Sequence, residues 1–223
     1  MFKKLSIVFA LGALAVGGQV SAQTLAGNAT ANNGGPAGWG IFFNLTAGPE
    51  NLFVTSLVTA NSGVAGALFS VEVFTRSGSA LGGPVSAGAG SSAAGWTSLG
   101  SAAGTQGALG IAGLSLPIDI PDILLISGST TGVALVFTGG AGPRYFGTGS
   151  APLQTFSDSS LTLVAGDART APFTTGGSFF SSRAFTGTMT YEVTAVPEPA
   201  TWAFMAFGLA GLLAWRRAWP SNG

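Results

Sequence analysis

The stretch Leu68–Arg76, LFSVEVFTR, constrains the fold of this chain more than any other. Successive side chains of an extended strand point to opposite faces. Phe69, Val71, Val73 and Thr75 therefore share one face, and Leu68, Ser70, Glu72, Phe74 and Arg76 share the other, wetter one. Comparable runs recur at Trp39–Leu45 (WGIFFNL), Asn51–Thr59 (NLFVTSLVT), Gly132–Thr138 (GVALVFT), Leu161–Val164 (LTLV) and Phe185–Val193 (FTGTMTYEV). Gly- and Pro-rich turns separate such runs at intervals of about ten residues, and no helix-period segment interrupts them. This spacing predicts an all-β body, a jelly-roll-like or Greek-key β-sandwich, with a barrel as the alternative.

Finer expectations follow from local pattern. Gln23–Gly38 is rich in Asn, Gly and Ala and reads as an irregular lead-in. In Asn51–Thr59, Leu52, Val54, Ser56 and Val58 fall on one face. Trp96–Leu99 begins a strand, Ile118–Ile120 stands between Pro117 and Pro121, Ile123–Ile126 is of buried type, and Arg144–Phe146 is a short strand. Leu161–Val164 is expected to end at a Gly166-Asp167 turn, and Phe185–Val193 to be one strand with a threonine ladder on its second face. Ser77–Gly95 has no periodic apolar signal across nineteen residues, which predicts a long loop or mobile flap.

Both ends of the chain read as addresses. Lys3 and Lys4 precede an apolar run, Leu5–Val16, and Val20-Ser21-Ala22 supplies the small residues of a cleavage site. Residues 1–22 are thus expected to be a signal peptide, cut between Ala22 and Gln23, leaving a body over residues 23–195. At the other end stand Val196-Pro197-Glu198-Pro199, an uncharged run over residues 200–215, and a basic tail over residues 216–223 that opens with Arg216-Arg217. Pro197 and Pro199 fix φ and lack donors, so neither strand nor helix passes through them. The apolar run is expected to be one transmembrane helix, with Trp202 and Trp215 at its interfaces and the arginines on the cytoplasmic side. It is short: 16 residues reach about 24 Å against roughly 30 Å of hydrocarbon.

This order of parts, Val196-Pro197-Glu198-Pro199, then 200–215, then Arg216-Arg217, resembles the bacterial PEP-CTERM sorting signal. The resemblance implies recognition by a membrane-embedded protease of the exosortase class and transient residence in the inner membrane. It also implies release or transfer to the cell surface or the extracellular matrix of a biofilm. More loosely, Val71–Arg76, Gly95–Gly100, Gly132–Phe137, Arg144–Phe146 and Phe185–Val193 resemble an exported bacterial β-domain that accompanies such tails. No catalytic assignment comes with it.

Composition narrows the chemistry. There is no cysteine and no histidine, which excludes disulfide staples, Ser-His-Asp and Cys-His catalysis, and thiolate or imidazole metal sites. Between the two addresses the chain has four arginines, Arg76, Arg144, Arg169 and Arg183, no lysine, and seven carboxylates, a net charge of −3. Such a body has no electrostatic footprint for nucleic acid. Asp119 and Asp122, with Asp158 or Asp167, are a conceivable calcium (Ca2+) set or a glycosidase pair, but the spacing fits no known loop, and solvated turn residues are the plainer reading. No metal, other cofactor or catalytic residue is expected. Trp39, Trp96, Tyr145, Phe146 and Phe180 are candidates for a sugar platform, and Arg144 for a fork toward an acidic polysaccharide. Of these, Trp96, Arg144 and Tyr145 are the expected glycan contacts. The function expected overall is that of an exported, non-enzymatic surface or matrix protein with a structural or adhesive role, with a carbohydrate-binding module as the alternative.

Overall fold

In a computed structural model, which describes residues 21–108, 113–148, 153–194, 205 and 207–212, the period-two runs become strands. In chain order these are β1 (Ala22–Ala26), β2 (Asn33–Gly34), β3 (Gly40–Ala47), β4 (Leu52–Thr59), β5 (Leu68–Ser77), β6 (Thr97–Thr105) and β7 (Ile118–Leu125). They continue with β8 (Thr130–Gly139), β9 (Arg144–Gly147), β10 (Thr155–Ser157), β11 (Leu161–Arg169), β12 (Phe179–Phe185) and β13 (Gly187–Val193). The strands make two open sheets. The smaller has the order β1-β13-β4-β7; the larger runs β2-β9-β12-β11-β3-β8-β5-β6, with β10 added against β11. Every strand ladder is antiparallel. The body is therefore a two-sheet sandwich, not the barrel kept as an alternative. It occupies the unit Val20–Thr194, and Met1–Gln19 and Ala195–Gly223 fall outside that unit.

The core lies between the sheets. Leu52, Val54, Ile123 and Tyr191 of the smaller sheet and Phe43, Val71, Leu135 and Leu163 of the larger belong to one buried cluster. Burying a side chain of this size contributes about 2 kcal/mol. The outward face of the larger sheet is covered too, by residues 78–96, which explains why Ile41, Phe42 and Phe43 are all buried in succession. The wetter face expected for β5 is partly dry as well: Phe74 packs against Phe173, from the loop between β11 and β12, at 4.6 Å.

Several local expectations are corrected. The lead-in contains β1, whose Gln23–Ala26 pair with Tyr191–Thr188. Its pattern was too weak to read because only Leu25 faces the core. In β4 the register against β13 shifts between Val54 and Ser56, so Thr55 is an extra residue there, while against β7 the surplus lies on β7, with Ile120–Asp122 opposite Thr55. Leu57 and Thr59 thereby take the inward places expected for Ser56 and Val58. Pro121 does not divide two segments. It sits within β7, an edge strand of the smaller sheet, where a missing N–H is tolerated. β11 does not turn at Gly166-Asp167 but continues to Arg169 through a bulge. A Cβ on Gly166 would lie 2.3 Å from the Phe42 carbonyl oxygen, so the bulge brings two backbones into contact.

The expected single strand Phe185–Val193 is two. Phe185 closes β12 in the larger sheet, Thr186 is fully buried, and Gly187 opens β13 in the smaller one. The crossing depends on Gly187. Its φ is +137°, and an added Cβ would lie 1.9 Å from the Val58 carbonyl oxygen. Gly187→Ala is expected to destabilise the body by about 3 kcal/mol or more in urea unfolding. A loss below about 1 kcal/mol would show that the crossing has room to relax.

Candidate functional site

The longest irregular segment of the body is fastened from end to end, which corrects the idea of a mobile flap. At its start, Asn44 Oδ1 accepts the Ala80 N–H at 2.7 Å. Asp167 Oδ2 accepts the Gly82 N–H at 2.7 Å. Arg169, the largest fully buried side chain, donates to the carbonyls of Val85 and Ala87 at 2.9 Å and of Gly82 and Pro84 at 3.3 Å. A planar fork with five donors suits such a ring of carbonyls, and its rear face rests on the Phe179 ring at 5.0 Å. Burial lowers the affinity of the Arg169 guanidinium for its proton, and the Asp167 charge opposes that. Burial likewise raises Asp167, against the Gly82 N–H and the Arg169 charge. Near its far end, the Trp96 indole donates to the Ala89 carbonyl at 2.9 Å.

The three expected glycan contacts have different neighbours. Trp96 is half-buried, in edge contact with Phe42, tilted against Phe173, and covered by the Arg76 guanidinium at 5.5 Å. Tyr145 is 2% exposed and belongs to the core; burial raises its hydroxyl, partly offset by the neighbouring Arg183 charge. Arg144 is half-buried and opens on a polar pocket of about 500 Å³, lined by Asn32, Asn33, Gly34, Gly35, Pro36 and Ser62. β2 and β9 build that pocket by pairing Gly34 with Arg144. Of the other platform aromatics, Trp39 stacks on Phe180 at 5.6 Å, and its ring lies against Gly35.

The aspartates are placed apart. Asp119 and Asp122 are exposed on β7, Asp167 is buried on β11, and Asp158 caps the turn between β10 and β11. No group of three or more carboxylates suited to a metal occurs among the described residues.

Sequence reasoning missed the contact that ties the first strand to the last. The Tyr191 hydroxyl lies 2.8 Å from both Gln23 Oε1 and Asp158 Oδ2. A phenol has one proton to donate, and the carboxylate is the stronger acceptor. Burial would raise Asp158, but the N–H groups of Ser160 and Leu161 and the Tyr191 hydroxyl outweigh it and hold the carboxyl below its ordinary range. Tyr191 is pushed up to about 12, by burial first and by Asp158 second. The only signal in the sequence was a tyrosine on the inward face of a strand, where its hydroxyl needs a partner.

The sorting residues Val196, Pro197, Glu198, Pro199, Arg216 and Arg217 lie outside the described residues, as do residues 1–20 of the expected signal peptide. Within the expected membrane span, Met205 and Phe207–Leu212 are helical, and Phe207 is 76% exposed. No helix among the described residues is long and apolar enough to cross a membrane. What the structure fixes is where the body stops. β13 ends at Val193, and the Thr194 N–H and hydroxyl both donate to the Asn51 carbonyl, at 3.0 and 2.9 Å. Residues 195–218 match the PEP-CTERM protein-sorting motif. The chain carries a PEP-CTERM signal. That motif supports sorting through an exosortase, export, and a membrane-passing route to the cell surface. No curated protein and no solved structure matches the chain.

Tyr191→Phe tests the seam through its pH dependence. A carboxyl whose folded pKa is depressed contributes stability above its unfolded pKa, about 3.9, and loses it as pH falls through the folded value. The variant should lose about 1 kcal/mol at pH 7, and the difference from the parent should shrink near pH 2. Equal losses at both pH values in urea unfolding would contradict a role for the Asp158 charge.

Proposed function

We propose that this protein is a delivered β-sandwich: an exported, non-enzymatic chain whose C-terminal PEP-CTERM signal is held in the inner membrane, processed by an exosortase, and lost from the working form. Its body then serves as a structural or adhesive unit at the cell surface or in the extracellular polymer matrix. The observation that carries this reading is the junction. The last strand closes at Val193, Asn51 fastens Thr194, and the motif begins at residue 195. A cut near Pro197-Glu198-Pro199 therefore removes none of the strands among the described residues. The other junction is similar. Cleavage between Ala22 and Gln23 would leave the pairing of Gln23–Ala26 with β13 in place.

We read the interleaved strand order, β1-β13-β4-β7 facing β3-β8-β5-β6, as a jelly roll widened at the β3 edge by β2, β9, β10, β11 and β12. With no cysteine, the sandwich keeps its shape without disulfides, through its buried layer and strand ladders. Carbohydrate binding is the second reading, and the pocket at Arg144 is what favours it.

Replacing Pro197-Glu198-Pro199 by three alanines is expected to leave full-length precursor in the membrane fraction, with the parent chain recovered outside it in shortened form. Equal release of the two chains would remove the exosortase step from the account.

A further inference from the structure

We propose that the pocket at Arg144 is a binding site for a carboxylate-bearing sugar unit, the repeating acid of an anionic polysaccharide. The proposal rests on the carbohydrate-binding reading and gives it a ligand class. Its first support is the state of the four body arginines. Arg169 is consumed by four carbonyls, Arg183 lies over Tyr145 and Phe180 and donates to Ser181 and Ser182, and Arg76 covers Trp96. Arg76 also meets no acceptor among the described residues, but its guanidinium is seated on the Trp96 ring, whereas Arg144 has neither an acceptor nor a ring. The Arg144 backbone N–H is bound to the Ala60 carbonyl, but no acceptor among the described residues meets its guanidinium.

The second support is the lining. No carboxylate faces the pocket, so the guanidinium is the dominant charge there. A planar fork binds a carboxylate through two parallel N–H bonds. Around it stand amides, a hydroxyl and bare backbone, which suit a ligand rich in hydroxyl groups. Asn33 uses its Oδ1 on the Gly34 N–H at 2.8 Å, which leaves its amide Nδ2 without a partner among the described residues. Asn32 is already satisfied at both ends by Gly147 and serves as a fixed wall.

The third support is the floor. An added Cβ on Gly34 would lie 2.6 Å from the Pro143 carbonyl oxygen, and one on Gly35 would lie 2.2 Å from the Trp39 ring. Two glycines thus let backbone and indole approach where side chains would fill the space. The volume, about 500 Å³, is that of ordinary small-molecule sites. Attraction of an anionic ligand to this guanidinium is electrostatic and therefore sensitive to salt.

The test is titration of the full chain with sodium glucuronate, glucose and inorganic phosphate, followed by amide chemical shifts. Glucuronate should shift Asn33, Gly34, Gly35 and Arg144 and weaken as salt is raised. Glucose should bind at least tenfold more weakly. Arg144→Gln should weaken glucuronate by at least tenfold, and Arg144→Lys by less. An absence of glucuronate shifts, equal binding of glucose, tighter binding of phosphate, or an unchanged Arg144→Gln variant whose other amide shifts match the parent would each overturn the proposal. Sorting is read separately. Arg144→Gln precursor should be exported and shortened like the parent, so failure of the pocket and failure of the delivery account give different results.

Discussion

The apolar layer between the two sheets is what everything else in the body depends on. There is no cysteine, so no cross-link restrains the unfolded chain, and charged residues are too few to build ion-pair networks. Cohesion has to come from burial and from backbone ladders. This explains two features that look unrelated. Both chain ends of the body are drawn into the smaller sheet, where β13 lies between β1 and β4. Beside the β1–β13 ladder, the side-chain contact of Tyr191 with Gln23 and Asp158 is partly removed from solvent, where such bonds hold best.

A second layer on the outer face of the larger sheet solves a different problem. Residues 78–96 have little apolar content of their own and bury only a few side chains, among them Ala80. A segment like that cannot hold itself by hydrophobic contact. Arg169 holds it instead, by donating to four of its carbonyls. A charge enclosed this way is costly unless each donor is used, so the arginine and the segment it fastens stabilise each other. The same segment encloses Trp96, which therefore serves the fold more than the surface.

Much of this was legible in the sequence where pattern and burial agree. Phe69, Val71 and Val73 alternate and face the core; Val133, Leu135 and Phe137 belong to a central strand. What escaped has physical causes. β1 is an edge strand with one inward apolar residue, so period-two analysis had almost nothing to count. The bulge at Thr55 inverts the parity of β4 through its pairing with β13, which no local window contains. Thr186 and Gly187 carry the chain between sheets inside a run of perfect alternation, and only the glycine hinted at it. At the candidate site, Arg144 was visible as a rare charge beside an aromatic. Its pocket was not, because Asn33 and Gly34 form a short strand, followed by Gly35, more than a hundred residues away in sequence. The tail was the reverse case: legible as a motif, with its Pro-Glu-Pro and twin-arginine residues outside the described structure.

Body and tail thus divide the work. The last strand among the described residues ends at Val193, Thr194 is fastened to Asn51, and the sorting motif begins at the next residue. Intact-mass spectrometry of the protein recovered from outside the cell tests this division most directly. The account predicts a chain that starts near Gln23 and ends near Val196, at the edge of the folded body. A secreted form that still contains Arg216 and Trp219 would contradict it.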